Sequence, residues 1–287
     1  MPKLRFPLFL HAFLLLLIAA TPALAQSSPG DALMQLLQKD YKPDEPLIPQ
    51  GVRKESAYQD GTAAQAGIVD FVENEAYVIH SDAPAVAYKA EKSRPVSVGD
   101  TLVCEEGSRL ILLLKDQSQL SLAPNTKAVL DKVVYDPDNG NRDTLVKMTT
   151  GAARYVVSKT IASGQANFQV ETPLAVLGVR GSDFAVALVP ESEVLRVRTS
   201  LLERLLGPAE ALAQTPRATV VVTGPETTLQ FRGTTGPAVT MTSFRSSASL
   251  GGRPPFTPLP VTPGIVPGLL NRVGPKVSVM SMPAVFE

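Results

Sequence analysis

The sequence predicts an all-β fold: a rolled, solenoid-like or sandwich arrangement of short strands with one small helical insertion. Three observations predict it. From about Gly67 onward, short apolar or alternating runs are cut by turn residues roughly every ten positions, the texture of an antiparallel all-β body. In 167–171 the period-2 alternation is plain, with Phe168 and Val170 on one face and Asn167, Gln169 and Glu171 on the other. Cys104 is the single cysteine of 287 residues, so no intrachain disulfide is possible. Apolar packing and sheet hydrogen bonds must hold the fold.

The strands read from the sequence lie at 68–72, 76–80, 85–88, 101–104, 109–114, 119–122, 127–135, 144–149, 152–157, 167–171, 174–179 and 183–189. The texture resumes at 194–198, 218–223, 227–231 and 238–242. The runs 127–135 and 144–149 read as arms of a long hairpin around 136–143. Cys104, beside Leu102 and Val103, reads as a buried and inert strand position.

Residues 1–25 read as a signal peptide. Lys3 and Arg5 form a basic start, 6–20 is almost wholly apolar, and Pro22 precedes the small-x-small site Ala23-Leu24-Ala25. The apolar run is short for a bilayer span, which needs about 20 residues. Cleavage before Gln26 is the expectation, with a periplasmic or secreted destination and no stable membrane span afterwards. The position after the cleavage site holds Gln26 rather than Cys, which argues against a lipid anchor. The whole chain has 27 basic and 27 acidic residues. The leader holds two of the bases and none of the acids, so the remainder is slightly acidic. That argues against nucleic acid or an anionic membrane surface as a main partner.

Residues 26–65 read as a leader arm, partly ordered at best. Within it 31–39 forms a short helix, with Asp31 as N-cap and Leu33, Leu36 and Leu37 on one face. Pro43, Pro46 and Pro49 then break it. Residues 66–190 form the main β body. Residues 191–250 hold further strands with a helical insertion near 200–213, where Leu201, Leu202, Leu205 and Leu206 make a one-sided stripe. The stripe either docks on the protein's own core or contacts a partner; the balanced Glu203 and Arg204 disfavour a membrane. Residues 251–287 form a Pro/Gly-rich tail, extended along the body or mobile.

Catalytic chemistry finds few residues to use. His80 is the single histidine outside the leader, and the chain has no G-x-S-x-G elbow. At a strand end beside Ser81 and Asp82, His80 reads as a solvent-facing or satisfied turn residue. One histidine and one cysteine cannot supply a His/Cys metal site. The run 136–143 has a faint calcium-loop look, but Gly140 occupies the fifth place and Lys147 the twelfth, where oxygen ligands belong. It reads as a hairpin tip. No catalytic, cofactor-binding or metal residues are assigned, and hydrolase is the weakest function class.

The most informative stretch is Thr172-Pro173-Leu174-Ala175-Val176-Leu177-Gly178-Val179-Arg180-Gly181-Ser182-Asp183-Phe184. Its two glycines suggest a tight bend where a side chain would clash. Arg180 has two readings: an exposed recognition arginine, or one that pairs with a carboxylate and carbonyls to lock the turn. The flanking glycines and Phe184 favour the lock. Thr172, Pro173, Gly178, Arg180, Gly181, Ser182, Asp183 and Phe184 form the structural motif.

The run T-P-x-A-x-x-G-x-R-G-[ST]-x-F resembles the signature of the FecR domain family. Further resemblance lies in Gly151-Ala-Ala-Arg154-Tyr155, in Asp136-Pro137, in 116–125 from Asp116 to Asn125, and in Gly99-Asp100 and Gly107-Ser108. It covers roughly 66–190. Gln117 stands where the family usually has Gly, Cys104 where Thr is usual, and Ser182 replaces Thr. The resemblance implies a β-rich periplasmic module and names no reaction. Transmembrane regulators of the family carry a cytoplasmic segment and one membrane helix. A cleaved leader leaves neither, which excludes direct contact with a cytoplasmic sigma factor. The implied function is a non-enzymatic protein-binding, sensing or scaffold module that presents a sheet face or edge to another envelope protein. The alternative is a structural, surface-associated protein whose β body is a spacer and whose Pro-rich tail attaches it.

Overall fold

Alternation along a strand sorts side chains onto two faces, and two sheets that bury their apolar faces together make a sandwich. The computed structural model of the chain has that architecture and describes residues 28–159, 166–197 and 217–275. Helix α1 (Pro29–Gln35) runs into a 3₁₀ turn, Leu36–Gln38. The first strands are β1 (Arg53–Glu55), β2 (Gln65–Glu73), β3 (Ala76–Ile79), β4 (Val86–Lys89), β5 (Pro95–Ser97) and β6 (Thr101–Cys104). Next come β7 (Arg109–Leu114), β8 (Gln119–Leu122), β9 (Thr126–Asp136), β10 (Asn141–Thr150) and β11 (Ala152–Val156). They are followed by β12 (Ala166–Thr172), β13 (Ala175–Val179), β14 (Asp183–Pro190) and a helix α2 over 191–197. The last elements are β15 (Arg217–Thr223), β16 (Leu229–Gly233), β17 (Val239–Met241), β18 (Arg245–Leu250), β19 (Leu259–Pro260) and α3 (Val266–Val273).

One sheet has ten strands in the order β1-β4-β3-β6-β9-β10-β12-β13-β16-β17; the other has nine, β19-β18-β15-β14-β11-β8-β7-β2-β5. Pairing is antiparallel except for β1 with β4 and β10 with β12. Leu102, Leu130, Val146, Phe168, Leu177 and Phe231 of the first sheet meet Leu112, Leu120, Tyr155, Phe184 and Val186 of the second in one buried core. Cys104 sits in this core fully buried, and burial pushes its thiol up to about 12. That is the inert position expected of it.

Several of the chain's changes of sheet fall at glycines. At Gly151, between β10 and β11, φ is +88°, and a Cβ would lie 2.5 Å from the Thr126 Cα. No side chain fits there without moving backbone. Gln117 has φ +63°. The turn therefore keeps its left-handed residue even with a side chain in place, at a small steric cost.

The leader arm is more ordered than the sequence suggests. Ser28, not Asp31, caps α1: its Oγ accepts from the Asp31 N–H, and Asp31 reaches back as the third residue of a capping box. Leu33, Met34, Leu36 and Leu37 of the leader, with Val266, Leu269, Leu270 and Val273 of α3, cover the outer face of the nine-stranded sheet at Ala185, Ala187, Val220, Val222 and Ala248. Each buried leucine there contributes about 1.5–3 kcal/mol. Over the described residues 251–275 the tail is therefore neither wholly extended nor detached. Asp31 ties the two covers together, accepting from the Thr262 N–H at 2.7 Å and the Thr262 hydroxyl at 2.8 Å. Burial opposes its ionisation, but these bonds and those from Ser28 outweigh it and hold the carboxyl below its ordinary value. Farther on, Leu47, Ile48 and Val52 cover Tyr77, Ile79 and Val103 on the outer face of the ten-stranded sheet.

Strands β1, β5 and β19 were not read from the sequence, and two further segments depart from their reading. The strand expected at 194–198 is the helix 191–197, begun directly after Pro190, with Val194 fully buried. Strand β18 was not legible, because three of its five buried positions are serines, which blurs the apolar pattern. Ser246, Ser247 and Ser249 donate to the carbonyls of Gly30, Phe256 and Arg253. The leader 1–25 and the stripe Leu201–Leu206 lie outside the described residues.

Candidate functional site

The motif 172–184 is the crossover from β13, in one sheet, to β14, in the other. Thr172 accepts from the Leu174 N–H and shares a 2.9 Å hydrogen bond with the Thr219 hydroxyl, beside an exposed Pro173. Gly181 holds φ +52°, and a Cβ there would lie 2.5 Å from the Lys159 Cγ. Ser182 donates from Oγ to the Thr228 carbonyl at 3.0 Å and closes the crossover onto the loop before β16. Phe184 is fully buried and stacks on Tyr155, with ring centroids 5.1 Å apart.

Three acids from the segments that carry the resemblance are held by basic side chains. Asp183 takes a two-pronged contact from Arg154, Nε to Oδ1 at 2.9 Å and Nη2 to Oδ2 at 2.7 Å. Nη1 of the same guanidinium donates to Asn271 Oδ1 and to the Gly274 carbonyl, fastening the end of α3 to the body. Asp116 accepts from Arg142 at 3.0 Å and from the N–H and hydroxyl of Ser118. Both members of that pair are almost completely buried. Asp100 accepts from His80 Nδ1 at 2.9 Å and from the Ser97 N–H at 2.7 Å.

His80 is not at the surface; it is 2% exposed. Its Nε2 faces the Gln59 carbonyl at 2.8 Å. Both ring nitrogens thus point at acceptors, an arrangement that suits the doubly protonated ring. Burial disfavours that charged form, but the bonds to Asp100 and Gln59 outweigh it and raise the pKa above the ordinary 6.5. His80 is the satisfied residue of the two alternatives, and its neighbours Tyr58 and Tyr88 wall it in. At the 136–143 tip, Asp136 accepts from the N–H groups of Asp138 and Asn139, as a turn residue does. Among the described residues no group of three His, Cys, Asp or Glu could hold a metal ion. No described helix is long and apolar enough to cross a membrane.

Arg180 does not lock the crossover. Its side chain is exposed and has no hydrogen bond or ion pair among the described residues. The carboxylate it was expected to take belongs to Arg154, which reaches Asp183 from the neighbouring strand β11. Gly178 does not mark a bend either. It lies mid-strand in β13, its φ is not positive, and a Cβ there would meet no described atom within 4 Å. Gly178 and Arg180 instead line an open groove of about 600 Å³ with Asn167, Thr228 and Gln230. The sequence did not single out this groove. The outward residues of 167–171 were its one visible signal.

Residues 100–203 match the family model for FecR protein. The chain therefore carries a FecR-family domain over that stretch. The match begins well after residue 66, yet β2 to β5 lie in the same two sheets as the matched strands. No curated protein matches significantly. Two crystal structures of a protein from Parabacteroides distasonis, provisionally described as an anti-sigma factor, share 14% identity with this chain, with TM-scores of 0.38 and 0.39. The similarity covers 58% of this chain and 62% of theirs.

Proposed function

We propose that this chain is a non-enzymatic, exported FecR-domain protein that works by binding another protein of the cell envelope. The FecR-family match carries the regulatory or sensing class. The state of the reactive side chains supports the absence of catalysis. His80 has both nitrogens occupied in the interior, and Cys104 is buried with its thiol pushed up. The apolar leader 1–25 supports periplasmic or secreted placement after cleavage. The rival reading, a spacer attached through its tail, is disfavoured because α3 and residues up to Gly274 are fastened to the body by Arg154.

The test is crosslinking in the native host followed by affinity recovery of the tagged full chain. The proposal expects one discrete protein adduct in the envelope fraction. Cofractionation with peptidoglycan or surface polysaccharide, without a protein adduct, would support the spacer instead. Recovery of the chain with an uncleaved leader in the inner membrane would overturn the placement.

A further inference from the structure

A glycine in the middle of a strand weakens it, and is explained by a bulge, a bend or close approach of another group. Gly178 has none of the internal reasons. Both of its ladders run in unbroken register, to Gln169 of β12 and to Gln230 of β16. Among the described residues no atom lies within 4 Å of where its Cβ would stand. What remains is approach from outside. The missing side chain leaves a notch on the outer sheet face, floored by backbone and flanked by two carboxamides, each able to donate and accept.

The charge around the notch has a sign. Arg180 lies two residues beyond Gly178 and Arg232 lies on β16 opposite Val176, and neither has a partner among the described residues. The nearby Lys147 is paired with Asp131, and Asp143 with Lys132. Glu171, across β13 from Arg232 and beside Lys147 in register, is the one acid within β12, β13 and β16 and has no ion pair among the described residues. The two free guanidinia outnumber it. At about 3.3 Å per residue, the four-residue offset from Val176 to Arg180 sets the arginines about 13 Å apart along the strand. Among the described residues no aromatic, the usual platform for a neutral sugar ring, lines the groove.

We propose that the outer face of β12, β13 and β16 binds an extended acidic segment of a partner polypeptide. Its backbone crosses the Gly178 notch between Gln169 and Gln230, and two carboxylates about four residues apart meet Arg180 and Arg232. This rests on the protein-binding reading above and names the surface and the chemistry it uses.

The test is a titration of the isotope-labelled exported chain, followed by amide NMR at low ionic strength. The probe is an N-acetylated, C-amidated hexapeptide with glutamates at its first and fifth positions and alanines elsewhere; the control has glutamines there. Shifts confined to β12, β13 and β16 are expected, with affinity at least tenfold weaker for the control peptide and for Arg180→Gln. Gly178→Val should keep a native spectrum and melting temperature while losing the peptide by a similar factor. No shifts, shifts elsewhere, or a Gly178→Val chain that fails to fold would overturn the proposal. Shifts on the same residues from an oligogalacturonate, and none from the peptide, would make the groove a glycan site. That last result overturns this inference alone. A host crosslinking experiment with no protein adduct overturns the protein-binding reading itself.

Discussion

The outer face of the nine-stranded sheet and the outer face of the ten-stranded sheet at β12, β13 and β16 are of opposite character. The nine-stranded sheet turns Ala185, Ala187, Val220, Val222 and Ala248 outward, and the chain folds its own ends, α1 and α3, over them. The ten-stranded sheet, at β12, β13 and β16, turns out Gln169, Gly178, Arg180, Gln230 and Arg232, and no described element covers them. An apolar face left bare would drive association, so the chain closes it. A polar face can stay open without that penalty. The difference teaches where to look for contact with other molecules: at the face the chain leaves uncovered, not at the motif acids, which are locks.

The largest effect should come from breaking a lock that also holds the cover. Asp183→Ala strips Arg154 of its carboxylate while leaving it buried, and should cost about 3–5 kcal/mol. Urea unfolding would measure it, and protease sensitivity near α3 should rise, since Arg154 also holds Asn271 and Gly274. Leu270→Ala, on the covered face, should cost about 2–5 kcal/mol by the loss of packed volume. A loss under about 1 kcal/mol would mean that α3 is not a true cover.

The His80 lock should be visible through pH. Its folded pKa lies above the unfolded one, so its stabilisation is fully present below about pH 6.5 and fades as pH rises through the folded value. Urea midpoints taken from mildly acidic to alkaline pH should fall in the wild type. In His80→Gln that fall should flatten. The charged and titratable groups near the ring are Asp100, Asp82, Tyr58 and Tyr88, so the Asp100→Asn variant should flatten it too.

The smallest effects belong to the two motif glycines. Gly181→Val places a branched residue at φ +52° and should cost about 1–2 kcal/mol. Gly178→Val, three residues away, should change unfolding free energy by no more than about 0.5 kcal/mol. The pair separates a glycine the backbone needs from one it does not.

Much of the sandwich was legible because alternation and turn residues are local signals. Phe168 and Val170 announced their face directly. The serine-lined β18 was not, since hydrogen bonds to distant carbonyls satisfy its buried face and leave no apolar pattern. The cover by α1 and α3 was hidden for a different reason: it joins the two ends of the chain, and its contacts have no trace in local spacing. In the motif, residue types were read correctly and partners wrongly. Two close glycines look the same whether they serve a bend or a notch. Arg180 stood nearest Asp183 in sequence, while sheet pairing set Arg154 beside it from 29 residues away.

The most direct test of the open face replaces Gln230 by a photoreactive phenylalanine analogue in the full chain, expressed in its native host. Illumination should give a single protein adduct that disappears when Arg180→Gln is added. No adduct from position 230, or the same adduct with Arg180 removed, would contradict the account.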